Sequence, residues 1–153
     1  MNLRFYEQSD LSFIMRYNSM SCEFCDYFAN IEPQRIVYED EDYMAFIARE
    51  PVCNGHCVII PKEHSESISD VVELKRFFAL ISYLCQAIKD AVNAADVRIE
   101  TLYSHDKIKH THVHLIPSFS NENDANTAES ISNADEKILG NLRKSKWYNT
   151  LNA

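Results

Sequence analysis

Several large protein classes are excluded by what the chain lacks. There is no run of eighteen or more apolar residues and no basic start leading into a continuous apolar core, so neither a membrane span nor a secretory signal is indicated. A soluble intracellular protein is expected, cytoplasmic, with the nucleus as the alternative compartment. Positive charge is scarce: 15 Lys and Arg against 23 Asp and Glu leave a formal net charge of −8. No basic stripe forms, which argues against a broad nucleic-acid surface. Any phosphate contact should be local and small. The five cysteines, Cys22, Cys25, Cys53, Cys57 and Cys85, are an odd number for a complete disulfide framework, so reduced thiols or metal ligands are expected. Glycine is rarer still, with two in the chain. One of them forms the Asn54-Gly55 pair that, with Pro51, marks a loop.

What is present suffices for one domain, because 153 residues with 46% apolar content can bury a core unaided by disulfides. "RIVYED" and "YMAFIAR", joined by an acidic turn at Glu39 to Asp42, read as an antiparallel hairpin, and "HCVIIPK" as a third strand. That acidic turn is read as a solvated one. From Ser65 to Ala94, Ile68, Val71, Val72, Phe78, Ile81, Leu84, Cys85, Ile88 and Val92 recur at three- and four-residue steps. This predicts one long amphipathic helix, with Ser69 or Asp70 capping its start. "VRIETLYS" and "HTHVHLIP" supply two more strands, the second stopped by Pro117. The expected organisation is α+β over residues 1–153, with a core at about 22–117. An N-terminal arm covers 1–21, and a polar loop and C-terminal helix cover 118–153, the helix having acid at its start and Arg143, Lys144 and Lys146 near its end.

The stretch "KHTHVHLIPS" holds three of the six histidines at every second position. On a strand His110, His112 and His114 would line one face. Three adjacent buried imidazoles are costly to satisfy by packing alone. Two chemical readings follow: a metal site that leaves an open catalytic position, or a site where a neutral imidazole attacks phosphorus and its neighbours stabilise the anion. Cys22-x-x-Cys25 suits two thiolates on one zinc, with His64 and one triplet histidine available as partners. The alternative is two small residues packed as hydrophobes. His56 and His64 bracket the third strand and would converge on the triplet if the strands share a sheet. Cys53 and Cys57 are given core roles, and His105 a surface position.

These ordered motifs resemble the histidine-triad (HIT) family of nucleotide hydrolases and transferases, whose signature is His-φ-His-φ-His-φ-φ with φ apolar. "HTHVHLI" fits with Thr111 at the first φ. "CEFC", "YED", "AF", Gly55-His56 and "IPKEH" match the family's first half, so the likeness spans roughly 22–117. The resemblance implies a five-stranded antiparallel sheet with one long helix, a homodimer, and a small-molecule nucleotide as ligand. It implies His112 as the nucleophile at an α-phosphate, His114 on phosphate oxygens and His56 in support. It also implies a structural zinc on Cys22, Cys25, His64 and His110, with no catalytic metal required. Phe46 of the "AF" pair is an implied substrate contact. Where family members carry an acidic residue that holds the ribose hydroxyls this chain has Ala48, and that role is reassigned to Glu50. "ETLYSHDKIKH" replaces the family's Asn-x-Gly and Gly-Gln-Ser/Thr segments, and Lys107 is the candidate to offset leaving-group charge. Two further readings stand beside the hydrolase/transferase. One is a zinc-stabilised nucleotide-binding or interaction module with little turnover, and the other a zinc hydrolase with His110, His112 and His114 all as ligands.

Overall fold

A computed structural model describes residues 22–27, 31, 33–101, 108–121, 140, 141, 143 and 144. In chain order these form helix α1 (Glu23–Tyr27), a 3₁₀ turn (Pro33–Arg35), strands β1 (Ile36–Glu39), β2 (Tyr43–Ile47) and β3 (Cys57–Pro61), a second 3₁₀ turn (Ile68–Asp70), helix α2 (Leu74–Val92), and strands β4 (Asp96–Glu100) and β5 (Val113–Ser118). The five strands make one antiparallel sheet in the order β1-β2-β3-β5-β4.

Strand alternation gives the sheet two different faces. Tyr43, Ala45, Ile47, Cys57, Ile59, Val113 and Leu115 point to the side covered by α2, where they pack on Phe77, Leu80, Ile81, Leu84 and Ile88. Met44, Phe46, Ala48, Val58 and Ile60 point the other way and form a smaller cluster with Ile31, flanked by Phe24 and Ile36.

The helix differs from the expectation at its start. Ser67 caps only the short 3₁₀ turn, accepting from the Ser69 N–H, and α2 begins at Leu74 after Glu73 adopts a left-handed φ of 57°. The Tyr43 hydroxyl donates to Val72 O at 2.9 Å and to Glu73 O at 3.3 Å, tying this break to β2. Ile81, Leu84, Cys85 and Ile88 are buried as expected, but the stripe begins at Phe77, which is fully buried, while Phe78, expected inside, is 48% exposed and Val72 62%.

Three other expectations change. β5 begins at Val113, so His110 and His112 lie before the strand and only His114 within it. The register Cys57↔Leu115 and Ile59↔Val113, continued by two residues, would set Pro61 opposite Thr111. Pro61 has no N–H to offer, its carbonyl takes a hydrogen bond from His110 Nε2 at 2.8 Å, and Thr111 bonds Ser65 O instead. Pro117 does not stop β5: it pairs with Val97, beyond the last β3 partner, where the strand has become an edge that tolerates proline. The acidic turn is not simply solvated. Asp40 Oδ1 accepts from the Asp42 and Tyr43 N–H groups, and Arg76 of α2 pairs with both Asp40 and Asp42.

The expected arm at 1–21, the polar loop beyond residue 121 and His105 lie outside the described residues. Of the expected C-terminal helix, residues 140, 141, 143 and 144 are described and helical, and Asn141 Nδ2 donates to Ala91 O near the end of α2 at 2.9 Å.

Candidate functional site

The histidines lie at the sheet face away from α2 along the length of β3, from His56 at its start and His114 opposite Val58 to His110 beside Pro61 at its end. The loop that delivers His56 turns tightly, with the His56 N–H donating to Cys53 O at 3.2 Å. Gly55 sits there at φ +82°, where a Cβ would approach Val92 Cγ1 to 2.9 Å, so glycine is required. Cys22 immediately precedes α1 and Cys25 lies on it. The segment after β3 supplies His64, and the segment before β5 supplies His110 and His112.

Cys22, Cys25, His64 and His110 each present a donor atom within 4.8 Å of all the others, a group that could hold a metal ion. Cys22 Sγ stands 3.4 Å from His110 Nδ1, and Cys25 Sγ 3.4 Å from His64 Nδ1 and 3.5 Å from His110 Nδ1. Ligands on one tetrahedral zinc, at about 2.3 Å for sulfur and about 2.05 Å for nitrogen, would have S···N separations of about 3.6 Å. The donor set and its spacing therefore fit. Burial, then the hydrogen bond and charge of Cys22, push the Cys25 thiol up to about 12, so this thiol favours the protonated form unless a cation stabilises the thiolate. His110 is held neutral, lowered to about 4 chiefly by burial. Its Nε2–H donates to Pro61 O, which leaves the Nδ1 lone pair toward the thiols, the outer-shell arrangement typical of a metal-bound imidazole. Among the described residues, His110, His112 and His114 do not gather as a ligand group of their own.

His112 and His114 are held differently. His112 is 5% exposed, and its Nδ1–H donates to the carbonyl of His110 at 2.6 Å. The proton on Nδ1 leaves a lone pair on Nε2. Two residues on, a chain of hydrogen bonds sets the other tautomers. The Val52 N–H donates to His56 Nδ1 at 3.2 Å, so neutral His56 carries its proton on Nε2, 2.8 Å from His114 Nδ1. Neutral His114 then carries its own proton on Nε2. Burial, then the proximity of His114, lowers His56 to about 4, which keeps it neutral at ordinary pH.

Phe46 is 3% exposed and its ring lies 6.2 Å from that of Phe24. Glu50 is exposed in the loop after β2, and Lys107 lies outside the described residues. Ala48 is buried, and its carbonyl accepts from Arg35 Nη2 at 2.6 Å. Sequence reasoning did not pick out Phe24, Thr111, Ser65 or the Val52 amide. Phe24 alone carried a signal, as an aromatic residue between the two cysteines.

A family model of the HIT domain matches residues 30–121, more than half of the chain. The chain belongs to the HIT family. An HIT-like protein of Borreliella burgdorferi is 33% identical over 110 residues, covering 66% of this chain and 78% of its own length. The adenosine 5'-monophosphoramidase of Saccharomyces cerevisiae is 27% identical over 127 residues, 81% of this chain and 79% of its own. Among solved structures, a Hit-like protein of Bartonella henselae superposes with a TM-score of 0.64 at 25% identity, over 79% of this chain and 96% of that one. The HIT fold of a five-stranded antiparallel sheet with one main helix is the one observed here. At family level this is a nucleotide-binding hydrolase or transferase, and Cys22, Cys25, His64 and His110 are its possible metal group.

Proposed function

We propose that the protein cleaves a nucleoside phosphoramidate or dinucleoside polyphosphate at its α-phosphate through a nucleotidyl-histidine intermediate on His112. The observation that carries this reading is the 2.6 Å bond from His112 Nδ1 to His110 O, which commits the proton to Nδ1 and leaves Nε2 nucleophilic. Nε2 forms a bond to phosphorus as the leaving group departs with the electron pair of its own bond and takes up a proton. The His114 Nε2–H, its tautomer set through His56, donates to a non-bridging phosphate oxygen. Water then attacks phosphorus and loses a proton, the N–P bond breaks, and the nucleoside monophosphate leaves with His112 neutral again. Phe46, Glu50 and Lys107 are assigned to substrate binding.

The zinc is structural in this reading. Held by Cys22, Cys25, His64 and His110, it would fix the segment that carries His112, with no part in the chemistry. The exposed apolar side chains Leu74 and Phe78 on α2 and Ile99 on β4 support a homodimer, and the protein is assigned to the cytoplasm or nucleus. The whole chain is read as one HIT-like domain with an N-terminal arm and a C-terminal helical extension. Ala48, standing where family members usually carry an acidic ribose ligand, favours the second reading of a nucleotide-binding or interaction module with little turnover.

The yeast relative makes an adenosine phosphoramidate the first substrate to try. Turnover and an acid-labile nucleotidyl adduct are expected, both lost in His112→Ala by at least about a thousandfold. Cys22→Ser should lose a bound zinc while leaving His112 chemically competent. Ligand binding without turnover or adduct in the parent would decide for the binding module.

A further inference from the structure

The four donors of the metal group are not equally held. His110 is buried and its Nε2–H is bonded to Pro61 O, whereas the Nε2 of half-buried His64 is enclosed without a hydrogen-bond partner among the described residues. A ligating imidazole whose second nitrogen lacks a partner is the weaker ligand, by about tenfold or more in metal affinity. Beside it stands Cys25, its Sγ 3.4 Å from His64 Nδ1. Of the five cysteines, Cys25 is half-buried and the other four are buried. Cys53 bonds Pro117 O, and Cys57 and Cys85 lie in the core under α2. The group therefore has a closed side at Cys22 and His110 and an open side at Cys25 and His64.

The two sulfurs are placed to react with each other. The Asp26 N–H donates to Cys22 O at 2.9 Å, which makes Cys22 the residue that starts α1, with Cys25 in the first turn. Side chains at a helix start and three residues on lie side by side, and the two Sγ atoms are within 4.8 Å of each other. A disulfide needs about 2.05 Å, so the chain between them must tighten. α1 has five residues, far below the length at which a helix holds itself in water, and it can yield to that change.

We propose that Cys22 and Cys25 are a redox couple that releases the metal ion reversibly when a hydroperoxide oxidises them to a disulfide. The inference rests on the reading of the four-residue group as a metal site. A bound cation keeps both sulfurs as thiolates, the nucleophilic form. Cys25, on the open side, attacks the terminal oxygen of the hydroperoxide. The S–O bond forms, the O–O bond breaks, and the departing oxygen takes up a proton, leaving Cys25 as a sulfenic acid. Cys22 then attacks the Cys25 sulfur. The S–S bond forms, the S–O bond breaks, and the hydroxide released takes up a proton to become water. Two electrons have passed from the sulfurs to the peroxide. The disulfide offers no thiolate, so two imidazoles remain of the four donors, too few for a closed structural site. A thiol reductant reverses the exchange.

The test treats the full-length, zinc-loaded protein with hydrogen peroxide. Zinc should appear in solution, read by a chelating dye, in step with the loss of two thiols per chain. Mass spectrometry should find Cys22 joined to Cys25 while Cys53, Cys57 and Cys85 stay reduced. Dithiothreitol with added zinc should restore both thiols and metal. In Cys22→Ser, peroxide should leave Cys25 as a sulfenic acid that dimedone traps, with no disulfide. Zinc retained after the Cys22–Cys25 bond has formed would overturn the proposal. So would zinc released with no such bond, or a buried cysteine oxidised ahead of Cys25. A protein that takes up no zinc ends the metal reading and this proposal together, and leaves turnover at His112 to be judged by its own adduct.

Discussion

The two faces of the sheet are built on opposite rules. Under α2, the sheet residues Tyr43, Ala45, Ile47, Ile59, Val113 and Leu115 are at most 1% exposed, and the helix meets them with Phe77, Leu80, Ile81, Leu84 and Ile88. On the other face six buried apolar residues make a small cluster, and beside it lie His56, His110 and His112, each at most 5% exposed. Buried imidazoles must be hydrogen-bonded to be tolerated, and each here has a partner: Val52 N and His114 for His56, Pro61 O for His110, and His110 O for His112. One face stabilises the fold; the other carries the candidate chemistry and is held by polar bonds.

The sharpest way to break this division is to cut into each face in turn. Phe77→Ala removes a fully buried ring under α2 and should cost about 3–5 kcal/mol of stability, read as a lower midpoint in denaturant. The fraction still folded should keep its turnover per molecule. His112→Ala, on the opposite face, should abolish turnover and shift the same midpoint by far less. If Phe77→Ala lowered kcat of the folded fraction as severely as His112→Ala does, the faces would not be separable.

How legible each face was in the sequence follows from the range of the interactions that build it. The hairpin of β1 and β2, strand β3 and the body of α2 were readable, because alternation and three-to-four spacing are local signals. The helix start was not. It depends on the Tyr43 hydroxyl reaching Val72 O and Glu73 O. Nor was the choice of Phe77 over Phe78 for the core, because the two stand four and three residues before Ile81 and helical spacing admits both. Cys22, Cys25 and His64 with one triplet histidine were readable as possible partners from residue type and spacing, but that the histidine is His110 came only through a resemblance, since the cysteines and His110 are 85 or more positions apart. That His110 and His112 leave the strand was hidden in the pairing of Thr111 with Ser65 O across 46 positions.

The pH response should also divide the faces. His56 is lowered to about 4 from the ordinary 6.5 by burial and then by His114, so between those two values the unfolded chain binds a proton at this residue and the folded chain does not. Stability therefore falls as pH drops through this window, and is unaffected by this residue above it. The midpoint of thermal unfolding should decline from about pH 6.5 toward 4, and the decline should be shallower in His56→Asn. Equal slopes in the two proteins would mean that His56 titrates alike in the folded and unfolded chain.

The smallest effect expected is on the helix side, at the tether from α2 to the hairpin turn. Arg76 lies over the Tyr43 ring at 5.3 Å and pairs with Asp40 at 2.6 Å and with Asp42, but its side chain is 47% exposed and that of Asp42 54%. Pairs this open to water contribute between about 0 and 1 kcal/mol. Asp40 is the less exposed partner at 18%, and its carboxyl is held below the ordinary value by Tyr38, the backbone N–H groups of Tyr43 and Asp42, and Arg76, against the opposing effect of burial. The turn therefore keeps its Asp40 cap when Arg76 is removed. Arg76→Ala should lower stability by no more than about 1 kcal/mol, with the loss shrinking in high salt and kcat unchanged. A larger, salt-insensitive loss would assign Arg76 a packing role on Tyr43 and make the turn part of the helix-side core.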